Sequence, residues 1–223
     1  ECYKGMFYGC NLTATPALPA TTLALGCYYN MFYECISLTQ APELPATTLE
    51  AECYKSMFTG CTSLVQAPEL PATTLQRACY FSMFENCVSL TTAPELPATK
   101  IDGVSYARMF KNCQKLNYVK AMFTDIQYFD SNASDWLSGV SPTGTFIKSK
   151  DATWTNEQAG IPTGWTVQVE GGVTPEPEPE RDYLCFTSTG DSKVSLFQSG
   201  TPNTSANKVI QYKLNDGQWH TWD

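Results

Sequence analysis

Ten cysteines dominate the chemistry that this 223-residue chain could perform. They stand at 2, 10, 27, 35, 53, 61, 79, 87, 113 and 185. An even count in an exported protein points to a disulfide framework. The spacing argues against one. On a continuous helix, cysteines at i and i+8 lie about 12 Å apart along the axis, whereas a disulfide needs Cα atoms within about 7 Å. Equivalent cysteines one repeat apart would lie about 5 Å apart, with parallel Cβ vectors. The preferred reading is a ladder of buried thiols acting as small apolar side chains. A break in the helix near Phe84 would leave a Cys79–Cys87 bond open. Zinc is disfavoured, because its ligand clusters use Cys-x-x-Cys or nearby His, and the chain has neither. Ser105 stands where a cysteine paired with Cys113 would fall.

The other chemistry-bearing residues are sparse. The single histidine, His220, is flanked by Trp219 and Trp222 and reads as an exposed strand residue. Gly139-Val140-Ser141-Pro142-Thr143-Gly144 has one residue too many for a nucleophile elbow. Asp130-x-Asn132-x-Ser134-Asp135 opens like a calcium loop but lacks its central Gly and closing Glu. It reads as a helix-capping cluster. Glu43, Glu69 and Glu95 occupy equivalent places in successive repeats, which gives a solvated acidic column and not an acid–base pair. No phosphate-cradling glycine loop is present. These residues predict no enzyme, no cofactor and no metal centre.

The element that must position all of these is a cassette. Cys53-Tyr-Lys-Ser-Met-Phe-Thr-Gly-Cys61 runs on through Leu64 and Ala67-Pro-Glu-Leu-Pro-Ala-Thr-Thr-Leu75. Equivalents begin at Cys2, Cys27 and Cys79, with a decayed copy from Ser105, in steps of 25, 26, 26 and 26 residues. Such a period is the mark of stacked repeats. Cys27, Met31, Phe32 and Cys35 fall on one face at 100° per residue, which predicts a helix of about two turns. That helix would leave Tyr28, Tyr29, Asn30, Tyr33 and Glu34 on its other sides. Leu38 and Leu44 anchor the segment that follows. Pro42 limits any strand there to about three residues. Thr47 or Thr48 would cap the turn into the next helix. The predicted fold class is an α/β repeat solenoid of leucine-rich-repeat type, with one short strand and one short helix per 26-residue repeat. A C-terminal cap and a small all-β module complete it.

The pattern Met-Phe-x-x-Cys-x-x-Leu followed by Leu-x-x-Ala-Pro-x-Leu-Pro resembles the BspA-like, or Treponema-type, leucine-rich repeats of Bacteroidetes surface proteins. The resemblance covers residues 2 to about 117. It implies a secreted or surface-anchored (lipoprotein) chain that binds proteins or glycans, often as an adhesin. One departure stands out. The family's second inward strand residue comes five after the Leu, whereas here Leu18, Leu44, Leu70 and Leu96 come six after. A bulge or an early strand end is the expected result, with Glu43, Glu69 and Glu95 pushed outward.

Residues 1–117 are thus assigned to about five repeats and 118–169 to a cap that covers the last repeat with Trp136, Phe146, Trp154 and Trp165. Within the cap, Ser134–Leu137 reads as a capped helical turn, and Thr143–Lys148 and Trp165–Val169 read as strands. Residues 170–180 read as a stiff Pro/Glu linker. Residues 181–223 read as a small β-module, or the start of a larger one, with strands 183–187, 194–198, 208–214 and 218–222 and an Asn215-Asp216-Gly217 turn. The net charge of −8 is uneven: 7 basic and 9 acidic residues up to Tyr118, 3 and 9 over 119–180, and 4 and 4 beyond. With no basic stripe, nucleic acid is not an expected partner. No apolar run is long enough to span a bilayer. The chain opens at Glu1 directly on a cassette, so its export signal is expected upstream.

The expected function is non-catalytic binding or adhesion at a cell surface, with the repeats presented to a protein or glycan. The alternatives are a structural stalk or spacer, or an accessory subunit of a surface complex. The expected contacts are Gln40, Gln66 and Thr92 with Glu43, Glu69 and Glu95 on the strand side, and Tyr29, Tyr54 and Tyr80 on the helix side.

Overall fold

Where the cassette's apolar spacing calls for a helix, the backbone makes a run of turns. A computed structural model describes residues 2–127 and 129–171, together with the strands 184–189, 193–198, 211–213 and 219–221. From Gly26 to Cys35 the amides divide their hydrogen bonds in strict alternation. The N–H groups of Tyr29, Met31, Tyr33 and Cys35 donate three residues back, to Gly26, Tyr28, Asn30 and Phe32. Those of Tyr28, Asn30, Phe32 and Glu34 donate outward, to the carbonyls of Cys53, Lys55, Met57 and Thr59 in the next cassette, at 2.7–3.0 Å. An α-helix needs every amide to bond four residues back, so this alternation excludes it.

A left-handed residue at every fourth position keeps the run flat. Gly26, Asn30 and Glu34 have φ of 57°, 55° and 55°, and Glu52, Ser56 and Gly60 repeat the pattern at 59°, 52° and 75°. A turn with positive φ at its third residue is of type II character. The expected α/β solenoid with a helix in each repeat is therefore incorrect. Among the described residues the one helix is α1, Phe129–Asn132, outside the cassettes. Thr47 and Thr48 accordingly cap no helix. Thr48 instead bridges Thr22 of the preceding cassette.

The strands of the repeats shrink as well. Neighbouring cassettes meet in single-residue parallel bridges, such as Thr22 to Thr48 and Gln40 to Gln66, and not in three-residue strands. Proline supplies the reason. Pro42 and Pro45, and their equivalents Pro68 and Pro71, have no N–H to offer a ladder. The first true strand is β1, Tyr118–Ala121, where the proline motif has ended.

Stacking cassette on cassette places like residues in columns. Phe7, Phe32, Phe58, Phe84 and Phe110 stack with centroids 5.5–5.6 Å apart and rings within 8° of parallel. Tyr3, Tyr28, Tyr54, Tyr80, Tyr106 and Trp136 form a second stack at 5.7–6.3 Å. Offset parallel stacking of this kind adds about 0.5–1.5 kcal/mol per pair beyond burial. Met31, Met57, Met83 and Met109, and Leu38, Leu64, Leu90 and Leu116, are buried beside them.

The cysteines follow the same rule. Cys27, Cys35, Cys53, Cys61, Cys79, Cys87 and Cys113 are buried, and all nine described cysteines are free thiols. From the second cassette on, the second thiol donates backward to a phenylalanine carbonyl: Cys35 to Phe7, Cys61 to Phe32, Cys87 to Phe58 and Cys113 to Phe84, at 3.0–3.1 Å.

Beyond the cassettes, β1 pairs in parallel with β2, Gly144–Lys148, and β2 with β3, Trp165–Val169. Trp136, Phe146, Trp154 and Trp165 are buried. Each indole finds an acceptor: Trp136 at Ala159, Trp154 at Phe123 and Trp165 at Ser141, at 2.8–3.1 Å. The short helix lies at Phe129–Asn132, and Ser134–Leu137 is turn. The chain divides into compact units at Gly172/Val173, inside the Pro/Glu stretch. In the second unit β4, Leu184–Thr189, pairs antiparallel with β5, Lys193–Gln198, and β6, Gln211–Lys213, with β7, Trp219–Thr221. The Asn215-Asp216-Gly217 turn, the linker 172–180 and the side chains of Cys185 and His220 lie outside the described residues.

Candidate binding groove

The bridge between Gln40 and Gln66 brings two proline-rich segments side by side. A shallow groove of about 440 Å³ lies along them. Its walls are Gln40, Ala41, Pro42, Glu43, Leu44 and Pro45 from one cassette and Gln66, Ala67, Pro68, Glu69 and Pro71 from the next. Pro42, Pro68, Leu44 and Leu70 are buried and fix the backbone, while Gln40, Glu43, Gln66 and Glu69 are exposed. Four of the expected contact residues are thus brought together in one place.

The groove is rich in acceptors. Its four prolines bring no N–H, and its two carboxylates accept only. Among the described residues neither Glu43 nor Glu69 has a lysine or arginine within ion-pair distance. Two carboxylates one rung apart, with no internal counter-charge, favour a ligand that brings donors: hydroxyls, amides, ammonium or guanidinium groups.

The third member of the column behaves differently. Thr92 bridges Tyr118 of β1. Glu95 pairs with Lys120 at 3.0 Å, and Lys120 also holds Glu170 at 3.0 Å. Hydrogen bonds to Glu170 and Glu95 keep the Lys120 ammonium above the ordinary lysine range. Glu95 and Thr92 therefore tie the last full cassette to the sheet and do not line the groove.

The expected tyrosine contacts need correction. Tyr54 and Tyr80 are each 1% exposed, inside the aromatic stack. Assigning them to the outer face relied on helical geometry; in a run of turns the residue after the first cysteine faces inward with it. Tyr29 is half-buried and stands in a different column, with Lys55 and Phe81. The Nζ of Lys4 lies 4.8 Å and that of Lys55 4.9 Å from its ring centre, one from each neighbouring cassette. Lys55 also lies 5.7 Å from the ring of Phe81. This outer ladder of cations and rings leaves Tyr29 only partly exposed. Sequence reasoning missed it, although the alternation of Lys4, Tyr29, Lys55 and Phe81 at one cassette position was its signal.

The remaining candidates resolve as structural groups. Asn132 is buried, accepts from the Val104 amide and donates to the Ile101 carbonyl. Ser141 donates to Thr143 at 2.8 Å within a turn. Among the described residues no cluster of three or more His, Cys, Asp or Glu side chains converges as a metal site would require. No helix among them is long and apolar enough to cross a membrane. Comparison with protein-family models, with curated proteins and with solved structures gives no match for this chain.

Proposed function

We propose that this chain is a non-catalytic binding protein of a cell surface, engaging a protein or glycan through the groove between the cassettes at 40–45 and 66–71. The observation that carries the reading is the pair of unpartnered carboxylates, Glu43 and Glu69, set beside Gln40 and Gln66 on a proline-stiffened backbone. Such a surface is preorganised: proline removes backbone freedom that a flexible loop would lose on binding. A donor-bearing partner therefore meets fixed acceptors. The surface location rests on the resemblance of the cassette to BspA-like repeats.

The test uses arrays of glycans and of extracellular proteins, probed with the wild-type chain and with the double variant Glu43→Lys/Glu69→Lys. Both positions are exposed, so the thermal midpoint should be preserved. Binding should fall by about tenfold or more, since reversed charges now face the partner's donors. Wild-type binding that the double variant retains in full would place recognition elsewhere. A wild type that binds nothing on either array would favour a stalk or spacer.

A further inference from the structure

The ladder that joins cassette to cassette runs out at its last rung. Arg108, Phe110 and Asn112 donate their amides to the carbonyls of Ser134, Trp136 and Ser138 at 2.8, 2.9 and 2.7 Å. One rung further on, the same positions are Asp135, Leu137 and Gly139. The local turns persist there, with Trp136 N–H bonded to Ala133 and Ser138 N–H to Asp135. The left-handed residues persist too, at Asp135 (φ 57°) and Gly139 (φ 75°). Yet among the described residues the N–H groups of Asp135, Leu137 and Gly139 have no acceptor. These are three backbone donors, two residues apart, in a register that receives a row of carbonyls at every earlier rung.

All three residues line a groove of about 600 Å³, together with Glu157 and Gly160. The volume is that of an ordinary ligand site. Asp130 and Glu157 also line it, and neither has a cationic partner among the described residues, whereas Asp135 is held by Lys111 at 2.6 Å. The donor row alone would suit an anion, but the two carboxylates repel one. What satisfies both features is an extended backbone, which brings neutral carbonyls in a row and a basic side chain beside them. The chain's own Pro/Glu segment does not fit, since it carries Glu176, Glu178 and Glu180 and no basic residue.

We propose that this groove docks an extended segment of a partner polypeptide. The partner's carbonyls take the N–H groups of Asp135, Leu137 and Gly139, and its lysine or arginine lies against Asp130 and Glu157. The binding mode is strand addition to an open edge. It is independent of the Gln40–Pro71 groove and does not rest on the function proposed for it.

The experiment is an amide-resolved NMR titration of the full chain. The probes are the blocked peptide acetyl-Gly-Lys-Gly-Lys-Gly-amide, its glutamate counterpart, and lysine amide alone. The lysine peptide should shift the amide resonances of Asp135, Leu137 and Gly139 saturably and leave that of Gly60, inside an intact rung, unmoved. The exposed-site variant Glu157→Lys should bind it about tenfold more weakly. Equal shifts from lysine amide alone would mean cation capture without backbone pairing and would overturn the proposal. Equal shifts from the glutamate peptide, the absence of shifts with the lysine peptide, or unchanged affinity in Glu157→Lys would overturn it as well.

Discussion

At position 105 a hydroxyl stands where Cys27, Cys53 and Cys79 place thiols. Ser105 is fully buried and its Oγ has no hydrogen-bond partner. A thiol tolerates an apolar site better than a hydroxyl does. Ser105→Cys should therefore raise stability by about 1 kcal/mol, read as a higher urea midpoint; an unchanged or lower midpoint would mean that the hydroxyl is satisfied in solution. The thiols also set a pH limit. Burial pushes Cys61, Cys79 and Cys113 up to about 12. An acid whose folded pKa is raised contributes stability below its unfolded pKa, near 8.5 for a free thiol, and loses it as pH climbs from there toward the folded value. At pH 10 each such thiol costs about 2 kcal/mol relative to neutral pH. The urea midpoint should be flat from pH 6 to 8 and fall steeply above about pH 9; stability that holds through that window would contradict thiol burial. At this scale the sequence was legible where identity alone decides burial. The columns headed by Cys27, Met31, Phe32 and Leu38 are inside, as their chemistry demands. Tyr28, Tyr54 and Tyr80 were misplaced because their direction depends on backbone geometry that composition does not show.

The repeating element exposes why the helix was expected and did not form. In the run from Cys27 to Cys35 the backbone sets residues inward in pairs, Cys27 with Tyr28 and Met31 with Phe32, a period of 4. An α-helix repeats every 3.6 residues, and over nine residues the two patterns nearly coincide. What distinguishes them is the column before the second cysteine: Gly9, Glu34, Gly60, Asn86 and Asn112, all at positive φ. Glycine and asparagine are the residues that accept the left-handed region most readily, and their recurrence there was the overlooked signal. Glycine substitutions test the element directly. Gly103 has φ of +53°, and an added Cβ would lie 2.8 Å from Arg77 Cα, in the backbone of the preceding cassette. Gly5 has φ of +61° with nothing within 4 Å. Gly103→Ala should cost about 3 kcal/mol, through conformation and clash together, and Gly5→Ala about 1 kcal/mol through conformation alone. Equal costs in thermal denaturation would mean that the cassettes are not in contact at Arg77.

For the molecule as a whole, the ladder has a direction. Within the turn runs every outward amide from Tyr3 to Asn112 donates toward the following cassette, whereas in the segment after the second cysteine the Val65 amide donates back to Thr39. The cassettes are thus joined by a polar backbone seam outside and by aromatic and thiol columns inside. The same stacking aligns Glu43 with Glu69 and so builds the groove proposed for binding. It also explains why that groove was half legible in the sequence. Equivalent positions had to be neighbours whatever the local structure, so the sequence set Gln40 beside Gln66 and Glu43 beside Glu69. The departure of Glu95 was not legible, because its partner Lys120 belongs to a strand outside the repeat. The direct measurement of the seam is the scalar coupling carried across hydrogen bonds, read by NMR on the amide of Tyr54. The turn ladder places its acceptor at Cys79 C=O, 3.0 Å away in the next cassette. A coupling from Tyr54 N–H to the Cys79 carbonyl is the predicted result; a coupling to Glu50, four residues back, would restore the helix and contradict the account.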